Sequence, residues 1–302
     1  MSGPDSLRRR PFATADADAV VDFCARHGRI HDRTLLRSLL LDLTSDPTGV
    51  IVLEEGDGVA LIASVVDRLR NGADAANLET LGIRVAPTAE AFIRLVVEPA
   101  VTFARAGERR ALQIPLPVAL ARAAGIDDAL RAAGFAWAYD YFDMRRPETA
   151  PPPASPEALP TDWSWATVDH ARVDGAHAAL AEMFRDVPST SAKPLADFRQ
   201  AVVSGAAMWR ALLDGDRIAG LVRVALHGAH GEIRVLGRVP AYRGRGLGPR
   251  LLGEGLRRLY AMGAGDVELT VEAANERALD LYRRFAFEVV ERTPVFMRRL
   301  RG

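Results

Sequence analysis

The chain contains very little cysteine or lysine and carries no net charge. Cys24 is the only cysteine, which excludes an intramolecular disulfide and makes a reducing cytoplasm the natural expectation. Lys193 is the only lysine, and we interpret this as the arginine bias of a high-GC bacterial genome. Basic and acidic residues both number 39, so no basic excess predicts binding to nucleic acid.

Long apolar runs are also absent. No stretch approaches the about 20 residues that a helix needs to cross a bilayer. The basic N-terminus "MSGPDSLRRRPF" is not followed by the apolar segment of a secretory signal. The 302 residues are 49% hydrophobic, which suffices for one large domain or two ordinary ones. We therefore expect a soluble, cytoplasmic protein without membrane contact.

Four potential metal ligands lie close together in the first half: Cys24, His27, His31 and Asp32. Their spacing matches no standard metal site, and we interpret them as ordinary surface and core residues. The sequence therefore predicts no bound metal.

A proline-rich segment, "PETAPPPASPEALPTD", divides the chain almost evenly. Six of the 18 prolines lie between Pro147 and Pro160, and no hydrophobic periodicity crosses them. This composition is typical of a stiff linker between domains. We predict an N-terminal domain at 1–146, a linker at 147–162 and a C-terminal domain at 163–302.

The two halves resemble each other at both ends. Thr14 and Thr167, each at the end of a predicted strand, lie 153 residues apart, and so do Met144 and Met297. Each half also contains a strand, a Gly-Asp turn and a second strand, in "VIVLEEGDGVALIASVV" and "MWRALLDGDRIAGLVRV". We predict a tandem duplication of one α+β unit. The second copy is predicted to end with two strands, at 286–291 and 294–300.

The segment "VPAYRGRGLGPRLL", at 239–252, places three glycines between a predicted strand and a predicted helix. It lacks the Gly-Lys of a Walker A loop, and Pro249 replaces the third glycine of a dinucleotide fingerprint. It fits the pattern Arg-x-x-Gly-x-Gly from Arg243 to Gly248, in which turn amides and the positive helix end receive a pyrophosphate. A tight turn with incidental arginines remains the alternative.

A second motif follows in "VELTVEAANERALDLYRRFAFE". Asn275, Ala278, Leu281 and Tyr282 lie on one predicted helix, with Phe287 shortly after it. The glycine loop and this helix together resemble the GNAT acyltransferase superfamily, over residues 163–300. The resemblance implies an α+β fold of tandem domains, each a mixed, mainly antiparallel twisted sheet flanked by helices. It also implies acetyl-CoA as co-substrate.

The resemblance implies roles for individual residues as well. Tyr282 would protonate the departing thiolate, and Glu232 would accept the proton of the amine. The alternatives are a packed aromatic side chain for Tyr282 and a solvated turn residue for Glu232. The residues implied in acetyl-CoA binding are Leu236, Gly237, Arg238, Arg243, Gly244, Arg245, Gly246, Leu247, Gly248 and Asn275.

The general base is the least defined role. Other members of the superfamily carry it on the next strand, at the position of Thr270, which cannot serve. Glu268 and Glu272 lie nearby and remain alternatives to Glu232.

Three residues depart from the superfamily pattern. Pro249 removes one amide from the phosphate-binding turn. Arg238 stands where an aliphatic residue is usual, and Ala286 stands where glycine normally precedes phenylalanine. These departures leave the affinity of the site open.

The first half lacks both motifs. It contains no glycine between Gly82 and Gly107, where the second half has its loop. The residues opposite Glu232, Asn275 and Tyr282 are Asn77, Ala123 and Leu130. We predict that the N-terminal domain is a degenerate copy that packs against the active one.

The function that follows is acetyl transfer from acetyl-CoA to an amine, directly in a ternary complex, because the second half has no cysteine to carry the acyl group. The expected acceptor is a small-molecule amine, and the expected state is a monomer or homodimer. Two alternatives remain: acetylation of a cysteinyl pseudodisaccharide, because the tandem organisation also resembles the mycothiol synthases, and non-catalytic acyl-CoA binding by a regulatory protein.

Overall fold

Two units make up the chain, and each has its own hydrophobic cores. The computed structural model describes residues 7–28, 49–70, 73–151, 159–185, 195–203 and 207–300. Unit 1 comprises residues 1–140 and 292–302, and unit 2 comprises residues 141–291. In the described part of the chain, no helix is long and apolar enough to span a membrane.

The N-terminal half alternates short helices with strands. Its strands are β1 (Arg8–Pro11), β2 (Val50–Glu55), β3 (Gly58–Arg70), β4 (Ala73–Ile83), β5 (Ala111–Pro115) and β6 (Ala136–Arg146). Its α-helices are α1 (Ala17–His27), α2 (Ala89–Phe92), α3 (Glu98–Ala106), α4 (Val118–Ala121) and α5 (Ile126–Ala132), with a π-helical turn at Ile93–Val97 between α2 and α3.

The C-terminal half repeats this order. Its strands are β7 (Trp163–Thr167), β8 (Met208–Asp214), β9 (Arg217–His227), β10 (His230–Arg238), β11 (Asp266–Glu272) and β12 (Glu288–Arg299). Its α-helices are α6 (Val173–Met183), α7 (Leu195–Val203), α8 (Leu247–Ala261) and α9 (Glu276–Arg284), and a 3-10 turn at Pro240–Tyr242 precedes α8.

The two units share one strand order. It is β1-β2-β3-β4-β5-β12 in unit 1 and β7-β8-β9-β10-β11-β6 in unit 2. In each unit one neighbouring pair is parallel, β4 with β5 and β10 with β11, and the other described pairs are antiparallel. The last strand of each unit comes from the other half of the sequence. The predicted α+β fold of tandem mixed sheets is confirmed.

A buried arginine fixes the exchanged strand β6 in unit 2. Arg146 is only 3% exposed, and its guanidinium donates to the backbone carbonyl of Phe285 at 2.9 Å. It also donates to the Tyr260 hydroxyl and to the carbonyl of Pro151. Because a buried cation is stable only when its donors are paired, this network holds the end of β6 beside the helices of unit 2.

The two copies do not align at a constant spacing. In both units the parallel ladder joins residues 36 positions apart, from Ala75 to Ala111 and from His230 to Asp266. This pairing places the central strands 155 positions apart, whereas the hairpin turns at Gly56 and Gly215 are 159 apart. The 153-residue spacing is therefore wrong as a structural register, because the loops of the copies differ in length.

The predicted domain boundaries and the observed units differ at the exchanged strands. The prediction assigned 1–146 and 163–302 to separate domains, whereas the unit boundaries fall within β6 and β12. The predicted linker, 147–162, falls within unit 2, and its residues 152–158 lie outside the described part.

The two strands predicted at 286–291 and 294–300 form a single strand, β12. Pro294 lies where the break was predicted. Proline has a φ that extended backbone accepts, and it lacks only the N–H donor. Its carbonyl accepts a hydrogen bond from the Leu116 amide at 2.9 Å, so the strand continues through it.

The turn after α9 contains a left-handed residue that is not a glycine. Ala286 has φ +60°, and its amide donates to the carbonyl of Arg283 at 3.0 Å. The same turn in unit 1 has Gly134 at φ +81°, with its amide bonded to the carbonyl of Arg131 at 2.9 Å. A Cβ in this region meets the backbone, so the second copy stores strain that the first avoids.

We expect Ala286→Gly to raise the free energy of unfolding by about 0.5–1 kcal/mol, because relief of the left-handed strain exceeds the entropy of the added glycine. The matched reverse change, Gly134→Ala, should lower it by a similar amount. Urea unfolding of both variants measures the difference. A neutral or destabilising Ala286→Gly would show that no strain is stored there.

Candidate active site

The strands β10 and β11 pair over only part of their length. Their parallel ladder covers residues 230–233 of β10 and 266–269 of β11. The ladder between β10 and β9 then has an irregularity at Arg234, which has no opposite residue on β9. Beyond it, β10 continues beside β9 and β11 continues beside β6. The edge of β10 that faces β11 is therefore unpaired from 234 to 238.

Helices cover both faces of the unit 2 sheet near this gap. A Cβ added to Gly255 of α8 would lie 3.0 Å from Val222, which places α8 on one face. A Cβ added to Gly237 would lie 3.1 Å from Met183 of α6, which places α6 on the other. We call these the α8 face and the α6 face, and side chains along each strand alternate between them.

The glycine loop, residues 243–248, joins β10 to α8. Gly244 and Gly246 have φ of +78° and +68°, a region where a side chain is unfavourable. Gly246 is the N-cap of α8, and as a glycine it has no side chain to cap the first-turn amides. The loop is exposed, and Arg245 lies with its guanidinium 5.1 Å from the centre of the Tyr242 ring. These amides and the helix dipole therefore present an open site for an anion.

A buried carboxylate holds α8 on the sheet. Glu254 is 2% exposed, and it accepts hydrogen bonds from Arg210 of β8 and Arg258 at 2.9 Å each, and from Arg257. Burial raises the pKa of Glu254, but the three arginines outweigh it and leave the pKa below its ordinary value. The position of the glycine loop depends on this ion pair, because the loop ends at the first turn of α8.

The first turn of α8 packs against α9. Asn275 is the N-cap of α9, and its side-chain oxygen accepts from the Ala278 amide at 3.2 Å. A Cβ added to Gly248 would lie 3.0 Å from Leu281, so the missing side chain permits close packing of the two helices. Tyr282 follows Leu281 in α9.

Tyr282 lies in the hydrophobic core on the α8 face. It is 8% exposed, and its ring centre is 6.0 Å from that of Phe287. Burial raises the pKa of Tyr282 to about 12, so the phenol stays protonated at physiological pH. Its hydroxyl forms no hydrogen bond with any residue of the described part.

Glu232 lies on the α6 face in a cluster of charged side chains. Its carboxylate oxygen Oε2 accepts from Nε of Arg234 at 2.6 Å and lies 3.3 Å from Nε2 of His227. Burial raises the pKa of Glu232, but the hydrogen bond with His227 and the charge of Arg234 outweigh it, so the pKa is lowered. The carboxylate is therefore ionised and already paired, which makes it a weaker base than a free glutamate.

A second carboxylate stands at the position where the sequence offered only Thr270. The Thr270 hydroxyl donates to Oδ1 of Asp143 at 2.6 Å, and Asp143 is 6% exposed. Asp143 belongs to the exchanged strand β6, so nothing in the second half of the sequence could have indicated it. Of the other two predicted alternatives, Glu268 pairs with Arg145, and Glu272 has a buried oxygen without a partner among the described residues.

Unit 1 carries different residues at the equivalent positions. Thr88 is the N-cap of α2, and its hydroxyl accepts from the Ala91 amide at 3.2 Å, where unit 2 leaves the amides open. The Glu232–Glu268 pair across the parallel ladder is replaced by Asn77 and Gln113. Leu130 accepts at its carbonyl from Phe135 as Tyr282 does from Phe287, so it occupies the tyrosine position without a hydroxyl.

The second half matches the model of the Acetyltransferase (GNAT) family over residues 174–287. The matched segment contains the glycine loop, β10, β11 and α9, so the predicted resemblance is confirmed.

Curated relatives of this GNAT segment are named mycothiol acetyltransferase. The protein of Corynebacterium efficiens is 43% identical over 86 residues, which cover 28% of this chain and 29% of that protein. The protein of Clavibacter michiganensis is 48% identical over 71 residues, which cover 24% of this chain and 23% of that protein. The chain therefore matches less than a third of the length of these relatives.

Solved structures resemble the whole chain. A GNAT protein from Sphaerobacter thermophilus superposes with a TM-score of 0.71 at 20% identity, covering 99% of this chain and 97% of that one. A tandem GNAT protein from the clavulanic acid biosynthesis pathway superposes with a TM-score of 0.72 at 16% identity, covering 98% and 99%. At this identity the similarity establishes the tandem GNAT fold.

The structure gathers most of the predicted site residues around the gap between β10 and β11. Leu236, Gly237 and Arg238 form the unpaired edge, and the loop 243–248 follows directly. Tyr282 lies on the α8 face and Glu232 on the α6 face, so the gap is flanked from both sides. Asn275 already uses its side-chain oxygen as a helix cap, which leaves only its amide nitrogen for a ligand.

The metal candidates of the first half do not form a described cluster. Among the described residues, no group of three His, Cys, Asp or Glu side chains is placed to hold a metal. Cys24 is buried, and burial raises the pKa of its thiol to about 12. His31 and Asp32 lie outside the described residues.

We expect Glu254→Gln to lower the free energy of unfolding by about 3–5 kcal/mol at pH 7, because Arg210 loses the carboxylate that neutralises it. The pKa of Glu254 is lowered in the folded protein, so its contribution is present at neutral pH and is lost as the pH falls through the folded pKa. The difference should therefore shrink below about pH 4.

Urea unfolding at pH 7 and at pH 3 tests this expectation. Glu276→Gln, an exposed glutamate of α9, is the matched control and should change stability little at either pH. An equal loss in the two variants would contradict the role of Glu254.

Proposed function

We propose that this protein transfers the acetyl group of acetyl-CoA directly to an amine at the gap in unit 2. The observation that carries the proposal is the uncapped N-terminus of α8, which lies at the end of an unpaired strand edge in a GNAT domain. Phosphate recognition and an extended binding edge are the two features that an acyl-CoA needs.

The residues of the gap suit acetyl-CoA in three respects. The amides of 244–248 would receive the pyrophosphate, since the N-cap Gly246 has no side chain to compete for those of the first turn. The edge from Leu236 to Arg238 would pair with the pantetheine arm as an added strand, and one of its amides would polarise the thioester carbonyl. Pro249 removes one further donor, so Arg243 and Arg245, both exposed, would supply the charge.

The two faces of the gap would divide the proton transfers. Tyr282 would donate its proton to the departing thiolate from the α8 face, and its raised pKa keeps it protonated for that role. Glu232 would accept the proton of the amine on the α6 face, directly or through water. Because the pKa of Glu232 is lowered, the acceptor amine must itself lose its proton readily when bound.

The first copy would serve the second structurally. Its loop is capped by Thr88, and its tyrosine position is Leu130, so we propose that unit 1 is degenerate and binds no acetyl-CoA. Its contribution is β6, which pairs with β11 along the gap. A chain reduced to 163–302 would lack that strand.

We expect Tyr282→Phe to lower kcat by about 10–1,000-fold while the affinity for CoA changes less than about threefold, because the phenol acts only on the leaving group. Steady-state acetyl transfer to an amine panel and calorimetric CoA binding measure the two quantities. Tyr139→Phe removes a hydroxyl bonded to Gln113 in unit 1 and is the control. Unchanged turnover in Tyr282→Phe would leave Tyr282 as a packing residue.

We expect Glu232→Gln to lower kcat/KM by about 100-fold or more, and Asp143→Asn to lower it less. Since the pKa of Glu232 is below its ordinary value, the carboxylate is ionised throughout pH 6–9. The loss should therefore be uniform across that range and should not move a limb of the pH profile. A larger loss in Asp143→Asn than in Glu232→Gln would assign the role of general base to Asp143 on the exchanged strand β6.

A second candidate acceptor comes from the relatives. Their name, mycothiol acetyltransferase, favours a cysteinyl pseudodisaccharide amine as the acceptor, and the identity of 43–48% supports it within the matched segment. That segment is only 63–86 residues in four of these relatives, so the acceptor site need not be shared. Non-catalytic acyl-CoA binding would be the conclusion if no amine were acetylated.

A further inference from the structure

Two neighbouring side chains on the α6 face have nitrogen donors without acceptors. Trp209 of β8 and Arg223 of β9 lie directly opposite each other across the sheet. Nε1 of Trp209 and Nε of Arg223 are both buried, and neither has a hydrogen-bond partner among the described residues. The guanidinium carbon lies 5.5 Å from the centre of the indole ring. A buried donor that remains unpaired is costly, so this pair requires an explanation.

Arg223 differs from Arg210 and Arg234, two other arginines of unit 2 with little exposed surface. Arg210 is paired with Glu254 and Arg234 with Glu232, at 2.9 Å and 2.6 Å. Arg223 has no ion pair with any described residue. Burial first, and then the charge of Arg234, lower the pKa of Arg223 to about 10, although Glu232 opposes them. The side chain therefore stays cationic at neutral pH in an environment that disfavours the charge.

The position of this pair links it to the acceptor side of the gap. Arg223 is opposite Val235, the first residue after the irregularity in β10. Its neighbour two positions on, Ala225, is opposite Glu232, so Arg223 and Glu232 share the α6 face. Trp209 is held in place by Phe198 of α7, whose ring centre is 5.1 Å away at an interplanar angle of 72°.

We propose that Arg223 and Trp209 form a subsite for a carboxylate on the acceptor, so that the acceptor is an amino acid or a similar carboxylate-bearing amine. The inference rests on the proposed acetyl transfer. A planar carboxylate matches the parallel donors of a guanidinium, and the indole N–H supplies a third. The charge of such a carboxylate would neutralise Arg223, which forms no ion pair with a carboxylate of the described residues.

The test uses paired acceptors that differ only in the carboxylate: glycine, leucine and phenylalanine, each with its carboxamide. Wild type, Arg223→Met and Trp209→Phe are compared by kcat/KM with acetyl-CoA. Because amides and acids differ in amine basicity, the decisive quantity is the change in the acid-to-amide ratio. Arg223→Met should lower this ratio by about 10–100-fold, and Trp209→Phe by several-fold.

Arg199→Met is the matched control, because it removes an exposed arginine of α7 that is already paired with Asp174. It should leave the ratio unchanged. An equal fall in Arg199→Met, or an unchanged ratio in Arg223→Met, overturns the subsite. So does a preference for an uncharged acceptor such as glucosamine or for phosphoethanolamine, which would mean a neutral or phosphate ligand.

Binding without acetyl-CoA separates this inference from the proposed function. The amino acids should raise the melting temperature of wild type but not of Arg223→Met, and they should change the fluorescence of Trp209. If they bind in this way and no acetyl transfer occurs, the proposed activity fails and the subsite stands. If transfer occurs with a ratio that does not depend on Arg223, the subsite fails alone. If neither binding nor transfer is seen, both fail.

Discussion

The short parallel ladder between β10 and β11 is the constraint on which the site depends. It joins four residues of each strand and ends where Arg234 has no opposite residue on β9. A parallel pair in an otherwise antiparallel sheet requires a crossover, which α8 supplies, and the crossover begins at the end of the unpaired edge. The gap, the glycine loop and the exposed helix end therefore arise from one local event in one strand. Glu254 keeps that geometry by fixing α8 to β8.

The second copy could be predicted well from its sequence because its signals are local. The hairpin turn at Gly215, the glycine loop and the capped helix after Asn275 are each encoded within about ten residues. The strand exchange could not be predicted, since β6 and β12 have similar patterns and either could complete either sheet. Asp143 could not be predicted either, because its hydrogen-bond partner Thr270 lies 127 positions away in sequence. The 153-residue spacing also did not predict which residues of the two copies are structurally equivalent, because loops of different length shift the alignment without changing the fold.

The first copy shows what the fold requires when no ligand has to be bound. Thr88 satisfies an amide that Gly246 leaves open, which is the ordinary way to end a helix. Gly134 takes a left-handed conformation that Ala286 adopts under strain. At these two positions the local rules are obeyed in unit 1 and broken in unit 2. Deviations of this kind are expected where function and stability compete.

The charges on the α6 face indicate which class of acceptor fits the site. Glu232 is in contact with Arg234 and His227, so its carboxylate is already paired. Arg223 is then a positive charge in excess, although the whole chain is neutral. Arg223 could not be predicted from the sequence, because it belongs to no motif. Only the structure shows that its Nε has no hydrogen-bond partner among the described residues. The cation of Arg223 and the indole N–H of Trp209, which has no partner among the described residues, are complementary to an anionic group beside the amine. This complementarity restricts the class of acceptor more narrowly than the GNAT pattern does.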